Sequence, residues 1–493
     1  MEDMATVEGF CHRLVHLDLK GAHPKLNYLE QLFPLLSKLG ATGLLVEYED
    51  TLPYSGDLAP LACNSAYSLD DINDLQSAAA ANGLSFIPLV QTLGHMEFVL
   101  KHDKFRSLRE VELYPNVICP VKPESFSLII KIIEQNLHLH PNINFLHIGA
   151  DEAWHLGVCE KCREQMELNK WSTGDLYLTW LQQIALFIKE KFPQLTLIIW
   201  DDMMRTISVE QLKKSGIGEL VEVMVWQYNS CNFNLPEGMF DRYSQVFSAL
   251  WVASAFKGAT GSSQVLPSIQ DHINNHLLWL QELQQQKPKF KNFRGFAITG
   301  WSRYDHYSIL CELLPVAVPS LCLCLRVLTQ GGFKQEDHVY ISNLLGFTKP
   351  INICPFPRPQ VVEESTRFPG ALVYSGVQMW ANQRTHYYAI KNSEGMLGWF
   401  NEYMRKHHFI NPVQVQSFMP TLIELLQSMS ELRSQLMRHM SEILHQETID
   451  EWMGSFMDPI MNKIKAIIQD CNKHILIGGR VRDYPLEKLL PDS

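Results

Sequence analysis

The sequence predicts a (β/α)₈ barrel of the TIM type followed by a helical C-terminal region, and three observations carry that prediction. The first 330 or so residues alternate short β-rich runs with longer helical patterns, the signature of parallel strands with crossover helices. Polar and aromatic residues gather at the C-terminal ends of those runs, where such barrels build their sites. After about Gly332 the alternation stops and helical periodicity takes over. A doubly wound open sheet would also explain the first observation. The other two favour closure.

Eight candidate strands span 13–19, 43–49, 85–91, 145–151, 195–201, 220–226, 244–251 and 295–301. Between them the patterns predict helices at 28–39, 68–82, 123–138 and 173–192. The second opens on an Asp-rich turn and closes at Gly83, the expected start and stop signals. A Pro-rich connector at 349–360 leads to helices at 420–446 and 449–472, where Leu422, Leu425, Leu426, Met429 and Leu432 repeat at helical spacing. The expected division is a barrel over 1–335 and a helical region over 336–493.

Composition narrows the function classes. The 493 residues carry 42 basic and 53 acidic side chains, a net charge of -11, and 46% are hydrophobic. Acidic charge spread without long runs argues against nucleic acid as a partner. The apolar stretch 313–325 is interrupted by Pro315 and Pro319 and is too short to span a bilayer, so no membrane role is expected. The N-terminal residues lack a basic segment followed by an apolar one, so no secretory signal is read. Eleven cysteines, an odd and scattered set, suit a reducing compartment, the cytosol or nucleus. Cys159 and Cys162 form a lone C-x-x-C; a structural zinc would want a second ligand pair nearby in sequence, so these are expected to be free thiols with no metal. Cys322 and Cys324 read as small core residues.

The strongest chemical signal is "FLHIGADEAWHLG" at 145–157, an apolar strand ending in the adjacent acids Asp151 and Glu152. Adjacent carboxylates repel, which raises the pKa of one and suits it to act as a general acid. Neighbours on one strand cannot easily straddle a sugar ring as paired carboxylates must. They can divide the labour differently. In such a division Glu152 would protonate a glycosidic oxygen, while Asp151 would hold the N–H of a 2-acetamido group whose oxygen would attack the anomeric carbon. Four tryptophans at or near strand ends are costly to expose there and offer flat apolar faces to a pyranose. Bland readings hold for several other residues: His147 as a core histidine, Glu222 as a barrel-interior charge with a basic partner, and Glu47, Glu49 and Asp50 as a solvated or ion-paired rim.

The motif "HIGADEAW" resembles the catalytic fourth-strand motif of the family 20 glycoside hydrolases, the β-N-acetylhexosaminidases. The blocks "RLVHLDLKGAHPK", "GLLVEYED", "IPLVQTLGHMEFVLK", "WDDM", "WVASAFKGATG" and "ITGWSRYDHYSILCELLP" are similar to its hexosaminidase D branch, over roughly residues 12–332. The resemblance implies that Asp151 orients the acetamide and that Glu152 is the general acid/base. It also implies that Trp200 and Trp301 line the acetamide pocket and sugar floor, that Tyr228 bonds the acetamide oxygen, and that Trp251 closes the region. Asp18 and His95 match positions near the hydroxyls or the acid pair, and Tyr304 and Asp305 are candidate contacts. Lys20 stands where many members have arginine, and Arg303 where many have glutamate, which leaves the gluco/galacto preference open. The implied activity is retaining, exo-acting release of terminal N-acetylhexosamine (GalNAc or GlcNAc) from glycoconjugates, with no cofactor, and a homodimer is expected. Two other readings stay open: a glycosidase with a protein nucleophile such as Asp201 or Asp305, and a catalytically silent sugar-binding protein.

Overall fold

A computed structural model describes residues 11–353 and 366–480; residues 354–360 of the Pro-rich connector lie outside that range. Eight parallel strands close into a barrel: β1 (His12–Asp18), β2 (Gly43–Glu47), β3 (Ser85–Leu89), β4 (Phe145–His147), β5 (Thr196–Trp200), β6 (Val221–Trp226), β7 (Ala249–Lys257) and β8 (Asn292–Gly300). Each pairs with its neighbours in chain order, and β8 closes on β1 through His12↔Gly295 to Val15↔Ile298. Strands covered on both faces have no polar side to show, which is why they read as continuous apolar runs. Leu14, Leu45, Ile87, Ile198, Met224, Ala253 and Ala297 fill the interior.

The helices begin where the side chains can satisfy their open amides. Ser68 caps Leu69–Ala81 and Ser172 caps Thr173–Lys191, each in a reciprocal box with an aspartate three residues on. Pro315 occupies the first turn of Leu314–Gln330, where its missing N–H is harmless, and Gly331 ends that helix with a left-handed turn. Among the described residues no helix is long and apolar enough to cross a membrane.

Two strands depart from the sequence expectation. The fourth stops at His147 rather than reaching the acids, because Gly149, Ala150 and Glu152 all take positive φ (59°, 71° and 46°) and leave the ladder. Its pairing with β3 is a single rung, Leu89↔His147. The seventh runs over 249–257 instead of 244–251; residues 239–244 are helical, and the small residues Ala253, Ser254 and Ala255 form the strand centre. Small side chains carry weak β preference, so the strand end was placed too early.

The described chain falls into two compact units. The barrel unit includes helices Leu314–Gln330 and Gln335–Leu344 and residues 366–371 and 443–445, later than the expected 335–336 boundary. The helical unit holds 372–442 and 446–480. Within it, Pro412–Ser441 buries Leu422, Leu425, Met429, Leu432 and Leu436 along one stripe and packs on Asp458–Ile477 through Ile460, Met461 and Ile464. Trp380 meets Trp452 edge-on, with centroids 5.5 Å apart.

Candidate active site

The turn after β4 is held in a costly shape. Left-handed backbone at a non-glycine residue costs about 1–3 kcal/mol and persists only where neighbours enforce it. Here the Ala150 N–H donates to Gln91 Oε1 (3.3 Å), Tyr177 Oη donates to the Ala150 carbonyl (3.1 Å), and the Glu152 N–H donates to Asp202 Oδ2 (2.9 Å). After β3 the chain bends the same way at His95, φ 52°. It comes so close that a Cβ on Gly94 would lie 1.9 Å from the Asp151 carbonyl oxygen, so only glycine fits. Two strained turns thus bring an imidazole against two carboxylates.

His95 Nε2 lies 3.4 Å from Asp151 Oδ2 and 3.2 Å from Glu152 Oε2. Burial opposes charge on His95, but Asp151 and Glu152 outweigh it and hold the imidazole pKa well above its ordinary value. The hydrogen bond from His95 in turn holds Glu152 below the usual carboxylate range, against its own burial. The repulsion expected between the adjacent acids is therefore relieved by a cation placed between them. Beside the pair, Asp202 is raised instead: burial and the charges of Asp151 and Asp201 push it to about 7. Asp151 is buried, and its Oδ1 has no hydrogen-bond partner among the described residues. Glu152, with its side chain 38% exposed, reaches the mouth.

These groups face a cavity of about 240 Å³, at the small end for ligand sites. Trp200, Trp226, Tyr228 and Trp301 wall it, and Lys20, Glu47, Arg303 and Tyr304 line it with polar groups. The Trp200 and Trp301 rings lie 6.3 Å apart at 52°, backed by His147 and His16 at 4.4 and 4.7 Å. Trp200 Nε1 is buried without a partner among the described residues. Burial works against the charge on Lys20. Asp18 at 3.0 Å and Glu49 at 3.7 Å, with Glu47, overcome that burial and raise its pKa.

Comparisons with known proteins identify the family to which the chain belongs. The model of the glycosyl hydrolase family 20 catalytic domain matches residues 29–248. Human Hexosaminidase D is 40% identical over 468 residues, 94% of this chain and 95% of that protein. The chain belongs to glycosyl hydrolase family 20. Bovine Hexosaminidase D is 44% identical over 338 residues, covering 68% of this family 20 chain and 97% of its own length. The crystal structure of Flavobacterium johnsoniae chitobiase aligns with a TM-score of 0.51 at 13% identity, over 97% of this chain and 74% of that one, which shows the shared fold.

The structure brings together Asp151, Glu152, His95, Lys20, Trp200, Tyr228, Trp301 and Tyr304 in this family 20 site. Three expected residues stand elsewhere. Asp18 anchors a turn, accepting from the Lys20 N–H and Nζ and from the Ser302 N–H. Asp305 Oδ1 accepts the Tyr307 N–H in an exposed turn. Trp251 is fully buried near the start of β7, tilted over His12, edge-on to Phe145 and bonded to Glu222 (2.7 Å); the shifted strand puts it at the opposite end of the barrel. Glu222 has its basic partner there, Arg294, with Nε–Oε1 at 3.0 Å. The lining residues not assigned a substrate contact from the sequence are Glu47, Trp226, Gly258, Ala259 and Arg303. Glu47 and Trp226 are the last residues of their strands, a position that was visible, and Arg303 stands between Trp301 and Tyr304 at the position the resemblance ties to gluco/galacto preference.

Proposed function

We propose that this family 20 enzyme, a β-N-acetylhexosaminidase, is a retaining exo-glycosidase that uses the substrate's own acetamide as nucleophile. It removes terminal non-reducing N-acetyl-D-hexosamine, GalNAc or GlcNAc, from glycoconjugates. One observation carries the reading: Asp151 keeps a buried carboxylate oxygen that has no partner among the described residues, in a pocket of one-ring size. A buried acceptor without a donor is costly, and an amide N–H from the ligand satisfies it.

The steps follow from the geometry. The sugar stacks on Trp301 with its N-acetyl arm beside Trp200, and Asp151 Oδ1 accepts the amide N–H. This turns the acetamide oxygen toward the anomeric carbon, with the Tyr228 hydroxyl as its donor. In the resting site the proton lies on His95. Glu152, 3.2 Å away, takes it up when the sugar displaces water from the mouth and burial raises the carboxyl. Glu152 then protonates the leaving oxygen as the acetamide closes to an oxazolinium, whose positive nitrogen is balanced by Asp151. Water, deprotonated by Glu152, opens the ring with net retention. Lys20, Arg303 and Tyr304 supply donors for the ring hydroxyls.

A protein nucleophile is less well supported. Asp201 is fully buried and gripped by Arg205 at 2.7 and 2.8 Å, and Asp305 lies outside the pocket. The test is a series of aryl glycosides with mono-, di- and trifluoroacetamido groups. Each fluorine weakens the attacking oxygen, so kcat falls steeply along the series. A flat series would remove substrate assistance. The same proposal includes a reducing cytosolic or nuclear setting and a homodimer. The exposed Leu372, Leu397 and Val413 of the helical unit favour the latter, and fractionation and light scattering check the two.

A further inference from the structure

We propose a structural zinc site in which Cys119, Cys159, Cys162 and Glu110 bind one ion and brace the two loops that carry His95 and the acid pair. The sequence shows only Cys159-x-x-Cys162 and hides the second pair some forty residues away. The fold supplies it. A hairpin of Arg109–Val111 and Tyr114–Ile118 in the loop after β3 delivers Glu110 from its first strand and Cys119 just past its second. Cys159 caps the helix Glu160–Asn169, which follows the Asp151–Glu152 turn, and Cys162 lies in its first turn.

The four ligand atoms lie within 4.8 Å of one another. Cys119 Sγ is 3.6 Å from Cys159 Sγ and 3.5 Å from Cys162 Sγ, and Cys162 Sγ is 3.2 Å from Glu110 Oε2. A tetrahedral zinc with bonds of about 2.3 Å to sulfur sets its ligands about 3.8 Å apart, close to these spacings. A disulfide needs about 2.05 Å, far shorter than either separation. Cys119 and Cys162 are fully buried and Glu110 nearly so.

The surroundings suit an anionic ligand set. Glu110 Oε1 accepts the N–H groups of Val158 and Cys159 at 2.7 and 2.9 Å, which leaves Oε2 for the ion. The Cys162 N–H donates to Cys159 Sγ at 3.3 Å, and the helix N-terminus adds its positive end. Zinc binding displaces the thiol protons to solvent, so occupancy rises with pH. The hairpin is tied in turn to the His95 bend: the Met96 N–H donates to the Asn116 carbonyl (3.0 Å) and the Ile118 N–H to that of Leu93 (3.1 Å). The ion would therefore clip the loop after β3 to the loop after β4, next to the contact between His95 and both acids.

The experiment is elemental analysis of the reduced full-length protein after exhaustive dialysis, expected to return about one zinc per chain. Cys119→Ser and Cys162→Ser should each lose most of it. Because those variants could misfold, the wild type is also stripped with a chelator under reducing conditions and titrated with Co²⁺, which should give thiolate-to-cobalt charge-transfer absorption and the visible bands of a tetrahedral site. Returning zinc should restore the melting temperature and kcat of the stripped enzyme. Folded wild type that retains no zinc and shows no cobalt–thiolate bands would overturn the site, as would a mapped Cys119–Cys162 disulfide. Stripped enzyme with unchanged melting temperature and kcat would overturn the bracing role.

Discussion

Replacing Asp151 by asparagine keeps the shape of the side chain and removes its charge, so it isolates what that charge does. In the proposed intermediate the positive nitrogen sits at hydrogen-bond distance, about 3 Å, from Oδ1. At an effective dielectric near 20, two unit charges at that distance attract by about 5 kcal/mol, a ceiling. Two features reduce it. The asparagine carbonyl retains part of the dipole, and the His95 imidazolium, 3.4 Å from Oδ2, already offsets some of the charge. A net loss of about 3 kcal/mol remains, equivalent to roughly 10²-fold in rate. Loss of an oriented donor in other active sites costs about 10²–10³-fold. The assay is kcat on an aryl N-acetylhexosaminide with a good leaving group, repeated on the fluoroacetamido analogues, for which Asp151→Asn should steepen the decline. A variant within about tenfold of wild type, with an unaltered fluorine dependence, would refute the reasoning, because the charge would then not face the reacting nitrogen.

Three further outcomes are expected. Glu152→Gln should lower kcat by about 10²–10⁴-fold, least for the most acidic leaving groups, as measured across a series of aryl glycosides. Trp200→Phe should weaken kcat/KM, while Trp251→Phe, which breaks the 2.7 Å bond to Glu222, should cost about 1–3 kcal/mol of stability and leave kcat/KM unchanged; chemical denaturation and steady-state kinetics separate them. Asp202 should carry a pH signature opposite to that of a salt-bridged carboxylate. Its pKa rises on folding from 3.8 to about 7, so the fold disfavours its charge and stability declines as pH climbs through that window. Asp202→Asn should gain on wild type by about 2–3 kcal/mol between pH 5 and pH 8 in urea melts, and a constant gap would contradict the raised carboxyl.

Much of the barrel was legible because strands buried on both faces must be apolar along their length, which locates every strand but the seventh closely. The acids were legible because two charges ending an apolar strand are unusual. What escaped reading depended on backbone shape or on distant chain. Nothing in "HIGADE" announces that Ala150 and Glu152 take left-handed φ, since the bonds enforcing it come from Gln91, Tyr177 and Asp202. Trp251 was misplaced because a strand centred on alanine and serine shows little β preference, so the tryptophan at its start looked like an end. The role of His95 in relieving the acid pair required knowing that a loop some fifty residues earlier folds onto it. Glu110 and Cys119 were invisible for the same reason.

The brevity of β4 has a further consequence. Elsewhere around the barrel, main-chain ladders join the strands, and these survive most side-chain substitutions. At the seam between β3 and β4 the ladder shrinks to one rung, and much of the stitching passes to side chains. Thr92 Oγ1 donates to the Ile148 carbonyl, Trp180 Nε1 to that of Thr92, and Gln91 Oε1 accepts from the Ala150 N–H. The sector carrying the chemistry is therefore the one whose cohesion point mutation can remove. Drift that the rest of the barrel tolerates would loosen this seam first, and activity would fade in proteins that still fold.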